Sequence, residues 1–305
     1  MTLYFILMSG FLAAMQNLCM RRSVDTGGST NIYVPIQLFI SFLIAIVLNP
    51  VRLSDFGVNV PIIFLGLGMG VILGFMMSFL GKSLKWGTPA LTFAVLNSCS
   101  VLPSVLMAFL FGKQFNHPYH WWNGMGSCIV IIGIFWSSWA AISCRNKFKW
   151  IFFIGLSSIA FVLFSAMTQW RILLESHGGA SPLLPFKISP LHNAWFMPAI
   201  FLGATLIQLF NVKSEPNLRF SLSTLIYGLL GGVANGSSMF FMILSTEKAS
   251  PFENALIFPL FSITVIQITN LWGRQLYKEK INWAPQMLCV AGLILGSVYW
   301  PEIFG

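Results

Sequence analysis

The chain alternates between apolar runs of about 20 residues and short polar breaks, and it does so ten times. The run after Asn59, "VPIIFLGLGMGVILGFMMSFLG", is representative: it holds no charge and closes on Lys82. Runs of this length suit a helix crossing a bilayer core. Strands of a membrane barrel would be about half as long and would alternate apolar with polar residues. The pattern predicts helices over 3–20, 33–50, 58–80, 88–111, 121–142, 149–171, 191–211, 220–245, 251–272 and 282–300. The expected fold class is therefore an all-α polytopic membrane protein with ten transmembrane helices. The first run meets its positive charges only afterwards, at Arg21 and Arg22, which reads as a retained span rather than a secretory leader.

The runs also repeat. A shift of 162 positions carries Gly66, Gly70 and Gly74 onto Gly228, Gly232 and Gly236, and Thr88-Pro89 onto Ser250-Pro251. With a one-residue slip, Gly112-Lys113-Gln114 falls on Gly273-Arg274-Gln275, Trp122 on Trp283 and Cys128 on Cys289. The chain divides into two five-helix repeats, 1–145 and 146–305. An odd number of helices per repeat means that the second enters the membrane from the opposite side, so the repeats are inverted. Each mark has a structural reason. Gly at every fourth position lets a neighbouring helix approach closely. Thr or Ser before Pro is an N-cap followed by the proline-tolerant first position, and Ser250 with Glu253 fits a capping box.

Composition narrows the class further. Of 305 residues, 56% are hydrophobic and only 8% are charged, too few to cover a soluble domain. The net charge of +9 comes from 17 Lys and Arg thinly spread over the connections, which argues for topology and against a nucleic-acid partner. The odd-numbered connections hold twelve of these residues and the even-numbered five. That bias places the odd connections in the cytoplasm and both termini outside a cell (inner or plasma) membrane. Lys113 then faces outside and Arg274 the cytoplasm. The five cysteines are scattered, without a Cys-x-x-Cys pair, and read as packing residues. The four histidines lack metal-site spacing, and no Gly-rich loop ends in Lys-Ser or Lys-Thr. No catalytic constellation, metal site or cofactor is expected, so the chain does not read as an enzyme.

The fourth and ninth runs, with their flanks, read "GTPALTFAVLNSCSVLPSVLMAFLFGKQF" and "KASPFENALIFPLFSITVIQITNLWGRQLY". With ten spans in two inverted halves, they resemble the drug/metabolite transporter superfamily, nearest its ten-helix EamA-like branch. The resemblance covers essentially the whole chain and implies a secondary transporter. This sequence departs from the family where an acidic residue often follows the Gly ending the fourth and ninth helices, since Lys113 and Arg274 stand there.

Inverted-repeat transporters bind near the midplane between repeats, so polar residues deep in spans are the substrate-site candidates. These are Asn97, Ser100, Asn235, Ser238, Gln16, Gln37 and Gln267, with Asn17 beside Gln16. Taken singly, each is also accounted for by interhelical hydrogen bonding. Pro103 is expected to free the Cys99 carbonyl, and Pro259 to break span nine similarly. Glu253, Arg171 and Trp170 are the coupling or gating candidates, because ionisable groups in membrane helices are functional candidates by default. The expected function is alternating-access transport of a small polar organic solute, with the bilayer as setting and a proton as the candidate coupling ion. A homodimer is compatible with this reading. The alternatives are a lipid-linked sugar or lipid translocator, and a non-transporting membrane receptor or scaffold.

Overall fold

The structure, a computed structural model, describes residues 2–103, 106, 120–139, 146–176, 194–213, 221–248, 251–278 and 282–297. They form ten α-helices: α1 (Thr2–Asp25), α2 (Thr30–Ile46), α3 (Val60–Leu84), α4 (Pro89–Ser98), α5 (Trp121–Trp139), α6 (Lys147–Ser176), α7 (Phe196–Lys213), α8 (Leu222–Lys248), α9 (Pro251–Tyr277) and α10 (Trp283–Ser297). A π-turn, Val47–Val51, extends α2, and a 3-10 turn, Cys99–Val101, extends α4. Five helices, α1, α2 with its π-turn, α3, α6 and α8, are long and apolar enough to cross a membrane among the described residues. A belt of exposed large apolar side chains, such as Phe64 and Phe210, marks the same class. In water such a belt would be an aggregation surface, whereas in a bilayer it faces lipid. The molecule is an all-helical bundle of the membrane type.

Several helices outrun their apolar stretch. α1 continues to Asp25, α6 to Ser176 and α9 to Tyr277. Arg21 and Arg22 extend α1 because basic residues are good helix formers, and their heads reach back over the Tyr277 ring at 5.3 and 5.4 Å. Arg21 also pairs with Asp25 one turn on, at 2.9 Å. Ser29 caps α2 by accepting from the Asn31 N–H, and Asn59 caps α3 by accepting from the Ile62 N–H. Thr88 occupies the N-cap of α4 with Pro89 at the first helical position, but its hydroxyl makes no capping bond. Ser250 and the Glu253 side chain lie outside the described residues, as do Lys113 and the end of the fourth span.

The two prolines behave differently from expectation. The Cys99 carbonyl is not left free: the Leu102 N–H donates to it as the helix tightens into the 3-10 turn. α9 runs unbroken through Pro259. A single proline removes one hydrogen bond, and the packed neighbours on either side keep the rest of the helix in place.

Packing crosses between the halves of the sequence. α1 lies against α8 and α9, α2 against α7 and α8, α3 against α6 and α7, α4 against α9, and α5 against α10. The repeated glycines are the contact points. Gly66, Gly70 and Gly74 of α3 receive Phe196–Ile207 of α7, and Gly228, Gly232 and Gly236 of α8 receive Tyr33–Ile44 of α2. At Gly70 the backbones of Ile200, Gly203 and Ala204 occupy the space where a Cβ would stand. Close approach of this kind maximises dispersion contact where lipid supplies no hydrophobic drive between helices.

Candidate functional site

A cavity of about 120 Å³ lies among α1, α3, α4, α6, α7, α8 and α9. It has room for several water molecules or a small solute. Its walls come from paired positions. Ala13, Gln16 and Asn17 of α1 match Phe161, Phe164 and Ser165 of α6, each pair separated by 148 places. Leu73, Met76, Met77 and Leu80 of α3 match Asn235, Ser238, Met239 and Met242 of α8, separated by 162. Leu96 and Ser100 of α4 match Phe258 and Ser262 of α9 at the same separation. Eighteen of the twenty-three lining residues fall into these nine pairs, so both sequence halves contribute to one space.

The hydrogen bonds around the cavity follow the same pairing. The Ser9 hydroxyl donates to the Ser238 carbonyl at 2.8 Å, and at the matched positions the Ser157 hydroxyl donates to the Met76 carbonyl at 3.1 Å. The first contact is reinforced: the Ser238 hydroxyl lies 3.2 Å from that of Ser9 and donates to the Ser9 carbonyl at 2.8 Å. Together these bonds tie α1 to α8 and α6 to α3 beside the cavity.

The chemistry of the walls is matched only in part: Met77 with Met239 and Ser100 with Ser262 keep the residue type, and most other pairs do not. On the α1–α8 side stand Gln16, Asn17, Asn235 and Ser238, while at the paired positions the α6–α3 side presents Phe164, Ser165, Leu73 and Met76. The three amides gather on the α1–α8 side beside Ser238, Met239 and Met242, while the α6–α3 side holds Leu73, Met76, Met77, Phe161 and Phe164 together with the hydroxyls of Ser165 and Thr168. Among the lining residues none carries an ionisable side chain.

Each polar group holds a defined posture. Asn97 donates through Nδ2 to the Phe93 carbonyl one turn back, at 2.8 Å. Asn235 donates through Nδ2 to the Ser41 hydroxyl of α2 at 3.1 Å, and Ser41 in turn lies within reach of the Gln37 and Gly232 carbonyls. The hydroxyls of Ser100 and Ser262, one of the nine pairs, are buried and have no hydrogen-bond partner among the described residues. A buried orphan hydroxyl is costly unless something else bonds it.

Of the sequence candidates, Gln16, Asn97, Ser100, Asn235 and Ser238 come together in this cavity, as does Asn17. Gln37 does not. It is fully buried in α2, with both side-chain amide atoms unpartnered and its carbonyl against Gly232 of α8. Gln267 is half-buried on α9 away from the cavity lining. Ser165, Thr168 and Ser262, which also line it, were legible only as scattered hydroxyls in apolar runs.

Arg171 belongs to a second cavity of about 130 Å³, lined also by Asn49, Arg52, Phe196, Met197 and Phe240. It sits one helical turn beyond the first along α6, since Thr168 lines one and Arg171 the other. Arg171 is buried and stacks over the Phe196 ring at 4.3 Å. Arg52 is exposed, lies over the Phe240 ring at 4.9 Å, and donates through Nε to the Leu48 carbonyl at 2.8 Å. The sequence placed Arg171 at a span end, but the meeting with Arg52 required the fold. Trp170 is buried beside it without lining either cavity, and its indole N–H has no acceptor among the described residues.

No protein-family model and no curated protein matches the chain. Among solved structures, 20 chains match. One, described only as a protein, aligns with a TM-score of 0.61 at 13% identity over 97% of this chain and 94% of the other. At that identity the likeness speaks for the fold alone: the full-length bundle, including the helices that wall the cavity, is an arrangement shared with another protein.

Proposed function

We propose that the protein is a secondary transporter that carries a small polar organic solute across a cell membrane by alternating access. The observation that carries the reading is the central cavity built from nine position-matched pairs. A site at the junction of two halves, with both contributing equivalent positions, is what rocking of one inverted repeat against the other requires. The helix pairings support the inversion as well. Replacing each helix by its counterpart five places along turns α1–α8 into α6–α3, and α3–α7 into α8–α2, and both contacts are present. The likeness to the drug/metabolite transporter superfamily points the same way, and so do the odd connections that carry most of the Lys and Arg, with both termini outside.

The wall chemistry narrows the solute. Amides and hydroxyls on the α1–α8 side bond a polar edge, while Phe161, Phe164, Met76 and Met77 pack an apolar face. Unbranched thioethers adapt to the shape they meet. Recognition in this reading rests on neutral groups, and the two Arg residues of the neighbouring cavity form a basic approach on one side. Glu253 stays the candidate for proton coupling.

Purified protein in vesicles, screened for uptake of amino acids, nucleosides and sugars, tests the proposal. Asn97→Ala and Asn235→Ala are each expected to lower uptake of a cognate solute by about fivefold or more, the value of one lost hydrogen bond. Normal uptake by both variants would rule out the cavity as the site.

A further inference from the structure

The end of the bundle where α3 stops and α6 starts carries a cleft of about 370 Å³ that plays no part in the transport reading. Its mouth holds three lysines, Lys82 and Lys85 from α3 and Lys149 from α6. Aromatic rings hold two of them in place: the Lys82 ammonium lies 5.7 Å from the Phe153 ring centre and that of Lys149 4.8 Å from Trp86. Such contacts orient an ammonium while leaving its other donors turned outward. All three lysines are exposed.

Below this mouth α3 and α6 expose large apolar side chains. The Ser157–Met76 hydrogen bond and the Lys82–Phe153 contact fix the antiparallel register of α6 on α3. That register sets Phe79 level with Gly155, and Phe75 level with Ile159. Phe148, Phe152, Gly155 and Ile159 recur at i, i+4, i+7 and i+11 along α6, and the three side chains are 80%, 54% and 60% exposed. On α3, Phe75 and Phe79 stack with centres 6.3 Å apart. A Cβ at Gly155 would meet nothing within 4 Å, so the strip carries a notch between Phe152 and Ile159. A basic mouth opening onto a notched apolar strip matches one kind of molecule: a negative head on an acyl chain.

We propose that this cleft binds an anionic phospholipid, with the phosphate of the headgroup on Lys82, Lys85 and Lys149. One acyl chain lies along the α3–α6 strip, over the Gly155 notch. The site joins α3 and α6, which both line the central cavity, so an occupied cleft clamps that side of it from the membrane.

Native mass spectrometry of the purified protein tests this, with phosphatidylglycerol and phosphatidylcholine of identical chains offered in equal amounts. Phosphatidylglycerol should be retained in preference, each lysine near an anionic head being worth about fivefold in affinity. The preference should vanish in Lys82→Gln/Lys85→Gln/Lys149→Gln and survive in the matching triple Arg variant. Lys149→Gln alone, a change at an exposed position, should lose about fivefold, which keeps the test open if the triple Gln variant does not fold. Gly155→Leu, which fills the notch while sparing every charge, should weaken phosphatidylglycerol retention. Millimolar inorganic phosphate should not displace the lipid. Equal retention of both lipids, a preference untouched by the Gln substitutions, or displacement by inorganic phosphate would overturn the proposal, the last pointing to a soluble anion.

Discussion

Gly70→Ala is the sharpest test of how this bundle is held together. A methyl group at Gly70 would fall on the Ile200 carbonyl oxygen and lie 2.9 Å from both the Ala204 nitrogen and the Gly203 Cα. All three atoms are backbone, so no rotamer change relieves the clash. Ordinary contact begins at 3.4 Å, and clearing the Ile200 oxygen therefore requires α3 to retreat from α7 by about one ångström. A gap of that order forfeits about half of the dispersion energy of the contacts it opens. Overpacking a close interface in this way costs about 1–3 kcal/mol. Gly68 supplies the control on the same helix, because a Cβ there meets nothing within 4 Å. Gly68→Ala should leave stability unchanged or raise it by up to about 1 kcal/mol through helix propensity. Reversible unfolding in mixed micelles measures both. If Gly70→Ala unfolded with the parent, or if the two substitutions cost the same, the close α3–α7 approach would be wrong.

Other predictions concern the cavity and the topology. Ser100→Ala and Ser262→Ala remove hydroxyls that bond nothing among the described residues. Each should stay within about 0.5 kcal/mol of the parent in stability, while raising the KM for a transported solute by about fivefold; a large stability loss with unchanged transport would contradict this. Lys85 and Lys248 are exposed at opposite ends of the bundle, at the close of α3 and of its counterpart α8. Cysteines at 85 and 248 should react with a membrane-impermeant thiol reagent from opposite faces only, and reaction of both from one face would contradict the inverted arrangement.

How much of this was readable from the chain depends on what each residue type can announce. Long uncharged runs announced the helices, because no other element buries so much apolar sequence at that length. They did not announce where the helices end: Arg21 and Arg22 look like loop residues by hydropathy, yet they continue α1 and lie over the Tyr277 ring. Amides deep in apolar runs announced a polar centre, and Gln16, Asn97 and Asn235 do line one cavity. Gln37 has the same signature and lies instead at the tight α2–α8 contact. When a helix is apolar on all sides, sequence does not tell its inner face from its neighbour-facing one. The apolar wall was silent for the same reason, since Met76 or Phe164 reads like any lipid-facing residue. The glycine repeat was legible in full, but its partner surface was not: Ile36, Ile40 and Ile44 meet Gly228, Gly232 and Gly236 only once α2 is laid on α8. Arg52 and Arg171 lie too far apart in sequence for any local pattern to join them.

Alternating access through the central cavity makes one demand that no static receptor or scaffold meets: the same side chain must be reachable from both faces of the membrane. Ser100 is 2% exposed, lines the cavity from α4 and tolerates the near-isosteric change to cysteine. In vesicles holding Ser100→Cys on a background without the five native cysteines, an impermeant thiol reagent supplied from either side measures that reach. The account predicts labelling from outside and from inside, each slowed by a saturating transported solute. Labelling from one face alone, or from neither, would contradict it.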